Sequence, residues 1–139
     1  MITEDSVITN SLVLKNAHYE IDFDDFEEKI RKEKVKLFIL CSPHNPVGRS
    51  LEKDELLKLG KSALKMMLKL LVMNHSDLFI PGSQHHVFAS LKTELQNITI
   101  TCTAPTKTFN LAGLQIQIFF IADEKLRLQF KKSYCQYWL

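Results

Sequence analysis

Lys107 is the residue of this chain best suited to covalent chemistry. It lies in the run Thr101-Cys102-Thr103-Ala104-Pro105-Thr106-Lys107-Thr108-Phe109-Asn110-Leu111-Ala112-Gly113-Leu114-Gln115. A lysine amine forms imines with carbonyl compounds. Most lysines are solvated loop residues, so the type alone says little; the long string around this one distinguishes it. A second string, Cys41-Ser42-Pro43-His44-Asn45-Pro46-Val47-Gly48, closes an earlier apolar segment. An Asn-Pro pair is usually a plain turn. In open α/β sheets, however, ligands bind outside the carboxyl ends of strands, and Asn45 falls at such an end.

The flanking elements are those that place two such loops. Val35 to Cys41 is nearly continuously apolar and β-rich, which predicts a strand covered on both faces of a parallel sheet. Ser42-Pro43 ends it. Upstream, residues 12–20 read as one short extended piece. Asp22 then caps a helix carrying Phe23, Phe26 and Ile30 on one face, with Asp24-Asp25 early and Arg31-Lys32 late. Glu52 to Leu64 reads as a helix with Leu56, Leu59 and Ala63 inward and lysines outward. Leu68 to Met73 is the next strand, although no Gly or Asn stop signal precedes it. Val87 to Gln96 is a short helical segment, Ile98 to Cys102 a strand, Ala104 to Leu114 a loop and Ile116 to Ile121 another strand. Asp123 caps a final helix over 124–134, with Leu126 and Phe130 on its buried side. The order predicts the α/β class: a mostly parallel sheet flanked by helices.

Composition narrows the function classes. With 45% hydrophobic and 24% charged residues, the 139-residue chain is an ordinary globular protein with a core of its own. A net charge of +2, with basic residues spread out except in one segment (56–73), argues against nucleic acid as a partner. The acidic start Met1-Ile2-Thr3-Glu4-Asp5 does not resemble a signal peptide, and no apolar run is long enough to span a membrane. Cys41, Cys102 and Cys135 form no CxxC pair and read as reduced thiols of a cytoplasmic protein. His85-His86 point to opposite faces of an extended chain, chelate poorly together, and read as surface loop residues rather than metal ligands.

Together, the Lys107 and Asn45 strings resemble the coenzyme-binding core of fold-type I pyridoxal phosphate (PLP) enzymes. The resemblance is strongest to the MalY/PatB-type cystathionine β-lyases within the class I/II aminotransferases. It extends over most of 1–139, read as one partial large domain, with the clearest matches at 19–60 and 87–132 and a degraded stretch at 65–86. It implies that Lys107 holds PLP as an imine and that Asn45 hydrogen-bonds the coenzyme's phenolic oxygen. It also implies that Thr106 bonds the phosphate and that His75 matches a histidine near the coenzyme. The implied substrate is an amino acid such as cystathionine or a cysteine conjugate, and the implied assembly is a homo-oligomer. The freed lysine amine would take the α-proton of the substrate as general base before its carbon–sulfur bond breaks.

One family element is altered. Where the family strand ends in Ser-Asp-Glu-Ile-His-Ser-Asp, this chain reads Leu70-Leu71-Val72-Met73-Asn74-His75-Ser76-Asp77. His75-Ser76-Asp77 survives, but Met73-Asn74 stand where Asp-Glu-Ile would be. In the family, the first Asp pairs with the pyridine nitrogen and keeps it protonated, which makes the ring an electron sink. Met67 to Asn74 matches what a family-like string would give if read one nucleotide out of frame, with a second slip restoring the match before Val87. The family's glycine phosphate turn, its stacking aromatic ring and its carboxylate-binding arginine have no counterpart in these residues.

Two other readings compete with a working lyase. The chain is expected to be impaired, and a non-catalytic remnant that only associates is one alternative. The other uses residues 56–73, where Lys58, Lys61, Lys65 and Lys69 alternate with leucines and methionines as in a basic amphipathic helix that binds membranes or partners.

Overall fold

The computed structural model describes residues 7–74 and 84–138, with side chains described through residue 134. The chain divides into two compact units, Met1–Lys36 and Leu37–Leu139.

The first unit opens with strands β1 (Val13–Lys15) and β2 (His18–Glu20), paired antiparallel with Val13 opposite Glu20. Asn16 and Ala17 turn the chain between them at φ 48° and 63°. Two consecutive positive φ angles are what a two-residue hairpin requires. The sequence suggested one extended piece here, because Ala stands where such turns usually carry Gly. Helix α1 (Phe23–Glu33) follows, and the Asp22 carboxylate accepts from the Asp25 N–H at 3.0 Å, as its capping position predicts. Phe26 and Ile30 are buried, while Phe23 is half-buried. Lys34, at φ 53°, ends the helix and donates its N–H to the Ile30 carbonyl. Asp25 Oδ2 accepts from both Lys29 Nζ and Asn10 Nδ2 at 2.8 Å. Those two hydrogen bonds, Lys29's first, hold its carboxyl below the usual range.

The second unit is built on a four-stranded sheet. Its strands are β3 (Leu37–Cys41), β4 (Lys69–Asn74), β5 (Thr99–Thr103) and β6 (Ile118–Phe120), lying in that order. The first three are parallel and β6 runs antiparallel to β5. Helix α2 (Lys53–Lys65) makes the crossover from β3 to β4. Parallel neighbours require such a crossover, and it buries one stripe of the helix. Leu56, Leu59 and Ala63 are accordingly fully buried, with Lys58 and Lys61 exposed. A 3₁₀ turn (Phe88–Ser90) and the short α3 (Thr93–Gln96) lead to β5. Gly60 of α2 is the point of closest approach: a Cβ there would lie 2.6 Å from the Leu95 Cδ2 atom. Helix α5 (Glu124–Trp138) closes the described chain, with Asp123 Oδ1 accepting from the Leu126 N–H at 2.7 Å. Phe119 of β6 packs on Phe130 and Tyr134 of that helix.

Several expectations change. The β3 strand is not covered on both faces: Leu37 and Ile39 are 46% and 58% exposed, and Leu40, pointing the other way, is buried. The segment Ala104–Leu114 is not a plain loop; Pro105 starts the one-turn helix α4 (Pro105–Thr108), and a 3₁₀ turn spans Ala112–Leu114. The strand expected over Ile116–Ile121 shrinks to Ile118–Phe120. His85 and His86 are half-buried rather than superficial. Residues 56–73 are not one amphipathic helix: α2 stops at Lys65, Met67 reverses the chain at φ 53°, and β4 follows with Leu70 and Val72 buried. The leucines of the basic pattern are therefore core residues. Among the described residues, no helix is long and apolar enough to cross a membrane.

Candidate active site

Because β3, β4 and β5 are parallel, their carboxyl ends share one edge of the sheet. Asn45 is the fourth residue after β3 and Lys107 the fourth after β5, so both singled-out loops leave from that edge. Asn74 ends β4, the strand between them.

The Asn45 loop is held at several points. Ser42, buried, continues the ladder by donating its N–H to the Met73 carbonyl, and its Oγ accepts from the Leu51 N–H at 3.2 Å. The His44 N–H donates to the Arg49 carbonyl, and the Gly48 N–H to the His44 carbonyl, each at 2.7 Å. Gly48 sits at φ 77°, a left-handed angle that suits glycine. The Arg49 guanidinium pairs with the Glu55 carboxylate, which also accepts from the Glu52 N–H at 2.9 Å. The loop is thus tied to the first turn of α2, and Asn45 itself is exposed at its tip. The peptide bonds Ser42–Pro43 and Asn45–Pro46 are both cis.

On the other side, Pro105 occupies the first turn of α4, where its missing N–H costs nothing. Thr106 is buried and Lys107, next to it, is exposed. The Leu111 N–H returns to the Thr106 carbonyl at 2.9 Å, which closes a turn through Phe109 and Asn110. Lys107 therefore has a fixed backbone and a side chain open to a ligand.

Between these loops lies a group that motif reading alone did not single out. Asn74 Oδ1 is buried and has no hydrogen-bond partner among the described residues. The string Met73-Asn74 was visible, but only the fold shows that the side-chain oxygen of Asn74 is sequestered. Its register partner is Thr103 on β5. The alternate face of the same edge is a row of sulfur: Cys41, Met73 and Cys102 are register partners across β3, β4 and β5. Burial pushes the Cys102 thiol up, and a hydrogen bond from Gln117 opposes this in part. Cys41 and Cys102 are both free thiols. His75 and Asp77 lie outside the described residues, as does most of the altered stretch that follows β4. Among the described residues, no three His, Cys, Asp or Glu side chains gather as a metal site.

Comparison with known proteins gives these features a context. Residues 6–138 match the family described as aminotransferase class I and II. The cystathionine beta-lyase PatB of Bacillus subtilis (strain 168) is 44% identical over 128 residues, covering 91% of this chain and 33% of that protein. The crystal structure of cystalysin from Treponema denticola, which contains a pyridoxal 5′-phosphate cofactor, superposes with a TM-score of 0.90 at 42% identity. It covers 94% of this chain and 34% of that one. A PLP-bound C–S lyase from Staphylococcus hominis, complexed with the inhibitor L-cycloserine, gives a TM-score of 0.83 at 32% identity, covering 90% of this chain and 31% of that one. This chain thus spans about a third of the length of these proteins. The α/β sheet, the two strand-end loops and these likenesses lead to one conclusion: the chain belongs to the aminotransferase class I and II family.

Proposed function

We propose that this chain forms the PLP seat of a carbon–sulfur β-lyase with aminotransferase kinship, whose substrate is an amino acid such as cystathionine or a cysteine conjugate. The observation that carries the reading is the common edge from which the Asn45 and Lys107 loops leave, with a buried amide oxygen, unpartnered among the described residues, between them. These groups suit the coenzyme: an exposed primary amine for its aldehyde, amides for the polar atoms in and on its ring, and a hydroxyl for its phosphate. When bound, pyridoxal phosphate supplies an aldehyde for amine exchange and an electron-withdrawing ring that stabilises negative charge at the substrate α-carbon.

The chain's own residues divide the remaining work. Lys107 Nζ would hold the coenzyme through its aldehyde and, as a free amine, would take the substrate α-proton as general base. Asn45 would hold the phenolic oxygen through its Nδ2, and the Thr106 hydroxyl would hold the phosphate. His75 belongs to the same proposed set. The working assembly is a homo-oligomer in the reducing cytoplasm, in keeping with the free thiols Cys41 and Cys102.

A second reading, a remnant that keeps the seat without turnover, is favoured by one observation. Uncharged Met73 and Asn74 end the central strand, where a carboxylate would stabilise a charged ring. One experiment addresses both readings. The full chain is incubated with pyridoxal phosphate, reduced with borohydride and mapped by peptide mass. Coenzyme mass fixed on the Lys107 peptide, and lost in Lys107→Ala, supports the seat; its absence from Lys107 refutes it. Thiol and pyruvate release from cystathionine then separates lyase from remnant.

A further inference from the structure

The buried side-chain oxygen of Asn74 has a use that follows from its place in the sheet. Its Oδ1 is shielded from solvent, with no donor to satisfy it among the described residues. A buried acceptor left unpaired costs free energy, so such a group calls for a ligand or water as its missing partner. Asn74 ends the strand that lies between the two carrying the Asn45 and Lys107 loops. Its register partner on β5 is Thr103, and extending the β3 register by one residue brings Ser42 opposite it on the other side. Both neighbours in that row are uncharged. The titratable thiols Cys41 and Cys102 belong to the alternate row with Met73. An acceptor at the middle of the edge, in a row without charge, suits a ligand N–H.

We propose that the Asn74 carboxamide is the partner of the coenzyme's ring nitrogen, with Oδ1 accepting from the ring N–H. This rests on the PLP reading above. The consequence is a neutral seat in place of an ion pair. A carboxylate beside a protonated ring nitrogen favours the charged form and raises its pKa. A carboxamide holds the proton by hydrogen bonding alone, so the ring loses it at lower pH. Asn74 is then a positioning and tuning residue, and the ring it tunes is a weaker electron sink than one held by an acid.

The test uses the full chain loaded with pyridoxal phosphate that carries a nitrogen isotope label in its ring. Loading is verified by borohydride fixation at Lys107, and the ring-nitrogen chemical shift is followed against pH. Asn74→Asp is expected to raise the protonation midpoint by about one unit or more, which is tenfold in proton affinity per unit. Asn74→Leu is expected to lower the midpoint and weaken coenzyme binding several-fold. A midpoint and an affinity that neither substitution changes would overturn the proposal while leaving the Lys107 seat standing. A rise produced by Met73→Asp but not by Asn74→Asp would also overturn it, assigning the ring to the opposite face of β4. Failure of the native chain to load at Lys107 would remove the seat and this proposal together. Should Asn74→Asp not fold, Asn74→Leu decides by midpoint and affinity.

Discussion

Asn74 and Thr103 are register partners on adjacent parallel strands, and Lys107 follows Thr103 across one short helical turn. The backbone positions of Asn74 and Lys107 are therefore related by sheet hydrogen bonds and one helical turn and not by a long, adjustable loop. Neighbouring strands lie about 4.8 Å apart, so a ligand that bridges the two loops reports directly on an intact sheet.

Such coupling makes thermal stability a readout of binding. A ligand that binds only the folded state stabilises it by about 2.7 kcal/mol at a hundredfold excess over Kd. Pyridoxal phosphate should raise the Tm of the native chain in a concentration-dependent way. Lys107→Ala, which removes an exposed side chain, should leave the Tm without coenzyme nearly unchanged and cut the coenzyme-induced rise. Scanning fluorimetry at several coenzyme concentrations checks both statements. A rise of equal size in Lys107→Ala would contradict them.

Gly60 and Leu95 give a packing prediction independent of the coenzyme. Leu95 is 1% exposed, so its methyl groups cannot swing away from a new Cβ at position 60. Gly60→Ala gains helix propensity worth about 1 kcal/mol, but overpacking a core costs about 1–3 kcal/mol. Gly60→Ala should therefore destabilise by about 1 kcal/mol in urea unfolding. Leu95→Ala should cost about 2–5 kcal/mol. In the double variant the new methyl group enters the vacated space, so the two costs should sum to more than the measured loss. Simple additivity would argue against the contact.

The legibility of this chain follows from how local each signal was. The Asp22 cap and the stripe Leu56, Leu59 and Ala63 depend on neighbours within two turns, and they read correctly. The hairpin at Asn16-Ala17 did not, because Ala carries no sign that its φ will be positive. The reversal at Met67 was hidden for the same reason, which left the α2–β4 boundary soft and lent residues 56–73 their helical look. The one-turn helix at Pro105–Thr108 is too short for any periodicity to mark. Burial of β3 was misjudged because an apolar run tells what a strand prefers, not whether anything lies on its second face. At the candidate site, the strings around Lys107 and Asn45 marked the two strand-end loops. The sequestered oxygen of Asn74 was not legible, since burial of one atom depends on strands distant in sequence.

The Cys102 thiol carries a pH prediction with a definite sign. Burial raises its folded-state pKa above the ordinary thiol value of about 8.5. Above that pH the unfolded chain loses the proton while the folded chain keeps it, so the unfolded state binds fewer protons and stability falls. The contribution is whole below the unfolded pKa and lost as pH rises through the folded one. Urea unfolding between about pH 8 and 10 should show this decline, and Cys102→Ala should flatten it. Thiol labelling in a Cys135→Ser background should modify half-buried Cys41 first and Cys102 only slowly at neutral pH. Equal rates would contradict the burial assigned to Cys102.

The last strand predicts self-association. β6 ends the sheet, and its outer edge is unpaired among the described residues. Ile118 and Phe120 are 41% and 60% exposed, in register with Thr103 and Thr101 across the inner edge. An edge that is apolar and lacks a lysine or proline is a template for another strand. The simplest closed arrangement is a two-fold dimer in which β6 pairs antiparallel with its own copy, so that each Phe120 is buried in both protomers. Sedimentation over a concentration series should show association of the native chain. Covering a Phe or Ile side chain contributes roughly 1.5–3 kcal/mol, and a buried lysine reverses that gain. Ile118→Lys and Phe120→Lys should each weaken the dimer by roughly tenfold or more, because the change enters the interface twice. Met67→Lys, 85% exposed in the turn before β4, serves as the control and should leave association unchanged. If it weakens association as much as the β6 substitutions do, the contact is general stickiness rather than strand pairing.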